Sequence, residues 1–223
     1  MGRQLFRQAM IKFFGGLLLV GALIFLPAGT LRFWKGWLLM GALFVPMFCA
    51  GLVMMRRCPE LLRKRLQAGE KENEQRRVIA LSALMFLCAF ILAGLNEHFG
   101  WLPLPAWVSW AACAVFLAAY ALYAEVLREN AYLSRTVEVQ RGQRVIDTGL
   151  YGIVRHPMYA VTLALFLMMP LILGSLISFC VMLLYIPLIV RRILNEEKVL
   201  RQGLPGYEEY MRRVRYRLIP RVW

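Results

Sequence analysis

The sequence has few of the residues, and none of the short motifs, with which soluble enzymes hold metals or nucleotides. Only two histidines, His98 and His156, occur in 223 residues, so we expect no histidine-based metal site. The five cysteines include no C-x-x-C pair, which argues against a disulfide framework. P-loop, G-x-G-x-x-G, G-x-S-x-G and H-E-x-x-H motifs are all missing. We therefore expect neither a metal nor a soluble nucleotide-binding domain.

Acidic residues are scarce as well, with 13 Asp and Glu against 27 Lys and Arg and a formal net charge of +14. In a soluble protein this excess would suggest a nucleic-acid partner. Hydropathy favours a different interpretation, because 60% of the residues are hydrophobic and the mean hydropathy is +0.57. Four runs, at 11–29, 36–55, 78–95 and 106–127, approach the roughly 20 apolar residues that cross a bilayer. We predict an all-α, multi-pass integral membrane protein surrounded by lipids, with no nucleic-acid partner.

The basic residues alternate between rich and poor segments along the chain. Segments 1–12, 56–77, 128–155 and 191–223 together carry 25 of the 27 Lys and Arg. Lys and Arg collect in the cytoplasmic loops of membrane proteins, and they also suit anionic lipid headgroups. The pattern predicts that these four segments, and with them both termini, lie on the cytoplasmic side.

A fifth apolar stretch, 158–190, is too long for one span and short for two. Arginine flanks it on both sides, so the charge rule requires an even number of crossings. Pro170 and Gly174 interrupt it near the middle, and both residue types weaken helices. We predict a helical hairpin with arms at 158–169 and 175–190. The alternative is one long kinked helix, which would place the basic tail outside.

Two polar segments flank this hairpin and hold the candidate chemistry. His156 ends the long loop 128–155 and opens the first arm, with Pro157 suited to a first helical turn. A histidine there can act as an acid or base, or it can be a structural residue at a helix start. Glu196 and Glu197 follow the second arm. They can bind a ligand, or they can only offset the neighbouring Arg and Lys.

The residues of these segments also form a combination that is found in a known family. The matching residues are Pro59-Glu60-Leu61-Leu62, Arg65, Asn130, Ser134-Arg135-Thr136-Val137, Gln140, Arg141-Gly142, Thr148-Gly149, Tyr151, Arg155-His156-Pro157, Tyr159, Glu196-Glu197, Leu200, Leu204-Pro205-Gly206-Tyr207, Tyr210 and Arg217-Leu218-Ile219-Pro220. Each piece alone is weak, but R-H-P-x-Y followed by E-E across a hairpin is specific. The chain resembles the isoprenylcysteine carboxyl methyltransferase family in the broad sense, which includes small prokaryotic relatives and phospholipid methyltransferases. The resemblance is dense over the C-terminal half and rests on topology before it.

This resemblance implies a membrane helix bundle with a pocket for S-adenosylmethionine, made by the polar loop, the hairpin and the tail. We divide the chain into a four-span bundle, 1–127, and a cofactor-binding region, 128–223. The residues implied for the cofactor are Gln140, Tyr151, His156, Tyr159, Glu196 and Glu197. Arg155 is implied near the cofactor and Arg217 near the acceptor, and both are our candidates for catalysis.

Two positions depart from the pattern of the family. The family often has Gly two residues after the tyrosine of R-H-P-x-Y, where this chain has Val161. It often has Pro directly before Tyr151, where this chain has Leu150. These departures leave the shape of the pocket open.

The implied function is methyl transfer, an in-line displacement that needs alignment and exclusion of water rather than a metal. We expect a lipid-like or amphipathic acceptor with a carboxylate, amine or thiol, because the pocket would lie at the membrane interface. One alternative is an NADPH-dependent reductase of the sterol-reductase type, in which tail arginines would bind the 2′-phosphate but two glutamates would repel it. Another is a non-enzymatic lipid-binding or transport protein. Apart from Lys12 at the edge of the first run, the first three predicted spans have no Asp, Glu, Lys, Arg or His, which argues against ion-coupled transport.

Overall fold

A computed structural model describes residues 2–66, 73–130, 132, 139 and 142–223. In these ranges the helices are α1 (Gly2–Ala28), α2 (Trp34–Arg57), α3 (Pro59–Leu66), α4 (Asn73–Phe99), α5 (Ala106–Glu129), α6 (Pro157–Ile172), α7 (Leu176–Met182), α8 (Tyr185–Gly203) and α9 (Tyr207–Arg213). A 3-10 turn at Gly149–Gly152 precedes α6. The described residues form no β-strand and show one isolated bridge, between Pro103 and Ser175. The predicted all-α class is confirmed.

Five helical segments are long and apolar enough to cross a bilayer. They are Arg3–Ala28, Trp34–Arg57, Arg77–Phe99, Ala106–Glu129 and Leu176–Gly203, and α6 is a shorter apolar helix. Many of their large apolar side chains point outward, such as Leu18, which is 69% exposed, and Trp107, which is 70% exposed. Apolar surface on this scale is typical of a protein that lipid surrounds. The chain is an integral membrane protein, and each of the four predicted runs lies in a helix.

A helical hairpin follows these four helices, as predicted. The two arms return on each other, since Tyr159 near the start of α6 contacts Glu196 near the end of α8. The turn lies at Gly174, whose φ of +70° is strained for other residues. Pro170 does not break the first arm but lies in the last turn of α6. The second arm is interrupted at 183–184, between α7 and α8.

The tip of the hairpin docks on the bundle through backbone and a buried lysine. The carbonyl of Gly174 accepts a hydrogen bond from the N–H of Leu104 at 2.8 Å, and Lys35 Nζ donates to the carbonyl of Leu104 at 2.9 Å. Lys35 lies inside α2 and is buried. The predicted second run began at residue 36, so the prediction left Lys35 in the connection before it. A Cβ at position 174 would lie 2.3 Å from Lys35 Nζ, so the tip fits this lysine only as glycine.

The described basic segments gather at the end of the bundle opposite to this tip. At the tip end, Trp34 stacks on Trp110, and the ring of His98 lies 3.2 Å from the carbonyl of Ala28. At the other end, Lys12 donates to the carbonyl of Leu66, and the tail contacts the base of the hairpin. The charge pattern predicted a shared end for these segments. Which side of the membrane this end faces remains a prediction.

One hydrophobic core joins the front of the chain to the hairpin. Ile24, Leu39, Phe116 and Ile172 are fully buried in it and come from α1, α2, α5 and α6. The helix α5 packs along α6, α1 packs along α4, and α4 packs along α7. The division at residue 127 therefore stays a prediction about function, since the packing continues across it.

Candidate functional site

The candidate site forms where the start of α6, the end of α8 and the tail meet. Pro157 occupies the first turn of α6, where a missing N–H costs no helix bond. Just before it, the N–H of Arg155 donates to the carbonyl of Tyr216, and that of His156 donates to the carbonyl of Arg217, each at 2.9 Å. These bonds fold the segment after α9 onto the base of the hairpin.

Glu197 lies at the centre of this base and contacts three basic side chains. Its Oε1 lies 2.8 Å from Nε of Arg155 and 3.3 Å from Nε2 of His156, and its Oε2 lies 2.9 Å from Nε of Arg217. Arg155 also donates to two carbonyls of the tail at 2.8 Å. Glu197 is only 4% exposed, and a carboxylate buried this deeply is costly without such partners. This cluster holds the hairpin and the tail together.

Glu196 belongs to a second cluster, which faces in another direction. The hydroxyl of Tyr159 donates to its Oε2, and Nε of Arg192 donates to the same hydroxyl oxygen at 2.9 Å. A guanidinium can only donate hydrogen bonds. The oxygen of the phenol therefore accepts a hydrogen bond from Arg192, and its O–H donates a hydrogen bond to Glu196. This second bond fixes the orientation of the carboxylate.

A cleft opens beside the two clusters. Its lining residues are Asn130, Tyr132, Gln143, Arg144, Val145, Ile146, Tyr151, Arg155, His156, Met158, Tyr159, Arg192, Glu196, Val199, Leu200, Leu204, Tyr207 and Tyr210. Glu196 faces this cleft, whereas Glu197 stays behind its wall. Apolar and aromatic walls with a few converging polar groups are typical of small-molecule sites.

The loop wall of the cleft is held by a carboxylate at the end of α5. The N–H of Leu150 donates to Glu129 Oε2 at 3.0 Å. Gly149 has a φ of +52°, and a Cβ there would lie 1.4 Å from Glu129 Oε1. This glycine is required both by its backbone conformation and by the close approach of Glu129. The contact places Tyr151 in the wall.

Two tyrosines of α9 complete the opposite wall. Tyr210 donates its hydroxyl hydrogen to the carbonyl of Tyr151 at 2.8 Å, and its ring centroid lies 5.7 Å from that of Tyr207. Burial raises the pKa of both phenols above the usual value. The charges of Glu197 and Glu196 raise the pKa of Tyr207 further. Both phenols are therefore protonated at neutral pH.

The structure brings most of the predicted site residues together. Tyr151, Arg155, His156, Tyr159 and Glu196 all line the cleft. Glu197 and Arg217 bind each other at its base, and neither is among the lining residues that the described ranges contribute. The predicted residue Gln140 lies outside the described residues, as do 134–137 and 141.

The two departures from the family pattern have different positions. Val161 is 7% exposed and packs in the hydrophobic core, so its side chain lies away from the described lining of the cleft. Leu150 packs partly against the same core, and its backbone N–H binds Glu129. A proline at position 150 would lack this donor.

Three contributors to the site were not predicted from the sequence. Arg192 lies one turn before Glu196 on α8, and this spacing of four residues is the sequence signal that both can reach the hydroxyl of Tyr159. Glu129 was placed in the polar loop 128–155 without a role, and Tyr207 stood in the matching motif without a role. Their partners are distant in sequence, so no local pattern could reveal them.

Comparisons with known proteins agree with this part of the chain. The model of the isoprenylcysteine carboxyl methyltransferase (ICMT) family matches residues 109–202. A curated relative from Mus musculus, Delta(14)-sterol reductase TM7SF2, is 32% identical over 91 residues, which are 40% of this chain. The match spans about a fifth of that relative, 22% of its length.

Proposed function

We propose that the cleft binds S-adenosylmethionine for methyl transfer to an amphipathic acceptor, because residues 109–202 match the model of the isoprenylcysteine carboxyl methyltransferase family. The observation that carries the proposal is the position of the matched segment. It contains Tyr151, His156, Tyr159 and Glu196, and all four line one cleft.

The residues of the cleft fit the cofactor. Glu196 is the carboxylate among the described lining residues. It is oriented by Tyr159, and its charge suits the sulfonium and the ammonium group. The aromatic rings of Tyr132 and Tyr151 and the apolar side chain of Leu200 also line the cleft, and such groups suit the adenine base. The charged part of the cofactor thus matches the carboxylate of the cleft, and its adenine matches the aromatic and apolar side chains.

The mechanism that we propose gives this chain the tasks of binding and alignment. S-adenosylmethionine would supply a methyl group on a positively charged sulfur. The lone pair of the acceptor would bond to the methyl carbon in line with the breaking carbon–sulfur bond, and S-adenosylhomocysteine would leave with the electron pair of that bond. Glu196 and Tyr159 bind the polar part of the cofactor, and His156 lines the cleft beside them. Arg155 is held by Glu197 and by the tail, so it offers a rigid wall. Such alignment can supply about 7–11 kcal/mol of barrier reduction in favourable cases.

We propose that the acceptor is lipid-like and carries a carboxylate, an amine or a thiol. The cleft lies at the end of helices that lipid surrounds, which gives amphipathic molecules a short path to it. Arg217 has a side chain that is 27% exposed and already binds one carboxylate, and we propose that it helps to orient the acceptor. We propose that this end faces the cytoplasm, because its segments carry most of the Lys and Arg of the chain.

A reductase that uses NADPH is the second candidate, and a specific observation favours it. Arg144, Arg155 and Arg192 all line the cleft, and arginine is well suited to phosphate. The curated relative is named a sterol reductase. Arg155 and Arg192 are however already bound to Glu197 and Tyr159, which leaves them less able to bind a phosphate.

Calorimetric titration of the detergent-purified protein distinguishes these functions. We expect saturable binding of S-adenosylhomocysteine that Glu196→Ala and His156→Ala both weaken. Binding of NADPH in its place would move the protein to the reductases. If a well-folded sample bound neither, the non-enzymatic lipid-binding function would replace the methyltransferase.

A further inference from the structure

The hydroxyl of Tyr207 is a buried polar group without a partner in the described part of the chain. Tyr207 is 4% exposed and lines the cleft, yet its hydroxyl oxygen makes no hydrogen bond there. Most buried polar atoms in proteins are hydrogen-bonded, so an exception calls for a physical explanation. Tyr210, one turn further along α9, has a satisfied hydroxyl that donates to the carbonyl of Tyr151.

Packing explains the ring of Tyr207 but not its hydroxyl. The ring lies in a small core with Leu204, Tyr210 and Val214, and a phenylalanine ring would fill the same space. A hydroxyl that is buried without a partner destabilises the free protein. Its presence is therefore consistent with a partner that a ligand provides.

The surroundings of this hydroxyl define the chemistry of that partner. The charges of Glu197 and Glu196 both act on Tyr207 and, with burial, keep the phenol protonated. The phenol is therefore a hydrogen-bond donor that needs an acceptor. A ligand carboxylate would be repelled by Glu196, and an ammonium group cannot accept. A hydroxyl can accept from a phenol and also donate to a carboxylate.

We propose that Tyr207 is a ligand-binding residue whose hydroxyl donates a hydrogen bond to a ribose hydroxyl of the cofactor. The proposal rests on the proposed function, because S-adenosylmethionine brings that ribose into the cleft. Tyr207 then forms the tail side of the ribose site, while Glu196 keeps the role proposed above toward the charged groups of the cofactor.

The test compares Tyr207→Phe with Tyr210→Phe, a matched pair on one short helix. Tyr207→Phe should leave the melting temperature of the free protein unchanged or higher, because it removes an unsatisfied group. It should weaken S-adenosylhomocysteine binding by roughly 3- to 10-fold, the range of one lost hydrogen bond. Tyr210→Phe should do the opposite, lowering the melting temperature and changing affinity less.

A second probe locates the contact on the ligand. 5′-Methylthioadenosine keeps the ribose but lacks the amino-acid part, and its affinity can be measured by competition against labelled S-adenosylhomocysteine. Tyr207→Phe should weaken both ligands by the same factor. A loss for S-adenosylhomocysteine alone would overturn the ribose contact, and equal affinities of wild type and variant would overturn the role of Tyr207. Failure of the wild-type protein to bind either ligand would instead reject the proposed function.

Discussion

Glu196 and Glu197 are neighbours in the sequence, but their side chains have separate tasks. Successive side chains of a helix point about 100° apart, so Glu196 faces the cleft while Glu197 faces Arg155 and Arg217. The sequence predicted that one of the pair holds the cofactor and could not choose between them. The choice depends on the rotation of α8 in the bundle, which is a property of the whole fold.

The separate tasks predict separate effects of the two conservative substitutions. Glu197→Gln should lower stability by about 3–5 kcal/mol, the typical cost of breaking a buried ion pair. Glu196→Gln should change stability little and weaken S-adenosylhomocysteine binding. Thermal unfolding in detergent measures the first effect and calorimetry the second. Equal losses of stability in both variants would contradict this assignment.

Arg192 and Tyr159 should act as a coupled pair in ligand binding. Arg192 makes the Tyr159 hydroxyl donate to Glu196, so removal of either residue should release the carboxylate. The variants Arg192→Gln and Tyr159→Phe should each weaken S-adenosylhomocysteine binding, and the double variant should be no weaker than the worse single one. A double-mutant cycle should give a coupling of about 0.5–3 kcal/mol. Additive effects would show that the two residues act independently.

At the scale of elements, hydropathy sufficed to predict the helices but not the breaks between them. The four long runs and the hairpin were predicted because lipid-facing helices require continuous apolar sequence. Pro170 was expected to end the first arm, yet it fits the last turn of α6. The interruption at 183–184 lies one turn before Pro187, which has no N–H to donate to the carbonyl of Leu183 and whose ring crowds that carbonyl. Hydropathy does not reveal this break, because an apolar run has nearly the same mean hydropathy with or without one proline in it.

The hairpin turn should tolerate only glycine at position 174. Gly174→Ala should destabilise the protein by at least about 1–2 kcal/mol, the cost of a left-handed residue with a Cβ, and contact with Lys35 should add to this cost. Gly41→Ala in α2 is the matched control, because a Cβ there meets nothing within 4 Å. The control should be neutral or stabilising by up to about 1 kcal/mol. Unfolding of both variants in detergent tests this, and an equally stable Gly174→Ala variant would contradict the tight turn.

At the scale of the whole molecule, the charge pattern predicted which segments share an end of the bundle. This prediction was possible because consecutive spans run in opposite directions, so every second connection returns to the same side of the bundle. Details of the site were less accessible, since Glu129, Arg192 and Tyr207 act through partners that only the folded chain brings near. The role predicted for Gln140 remains to be tested.

The orientation of the bundle in the membrane can be tested by cysteine labelling. In a variant without the five native cysteines, Trp101→Cys lies at the tip end and Arg212→Cys on α9. A membrane-impermeant thiol reagent applied to intact cells should label position 101 at once and position 212 only after permeabilisation. The reverse order would place the cleft outside the cell and contradict the prediction from charge.

The hairpin is anchored at both of its ends, by the backbone of Leu104 at the tip and by Glu197 at the base. A helical hairpin that is fixed at both ends bends mainly where its helical hydrogen bonds are interrupted. In the second arm that point is the interruption at 183–184. Lateral pressure from the bilayer would therefore bow this arm at its middle, while the geometry of the cleft at its base stays nearly constant.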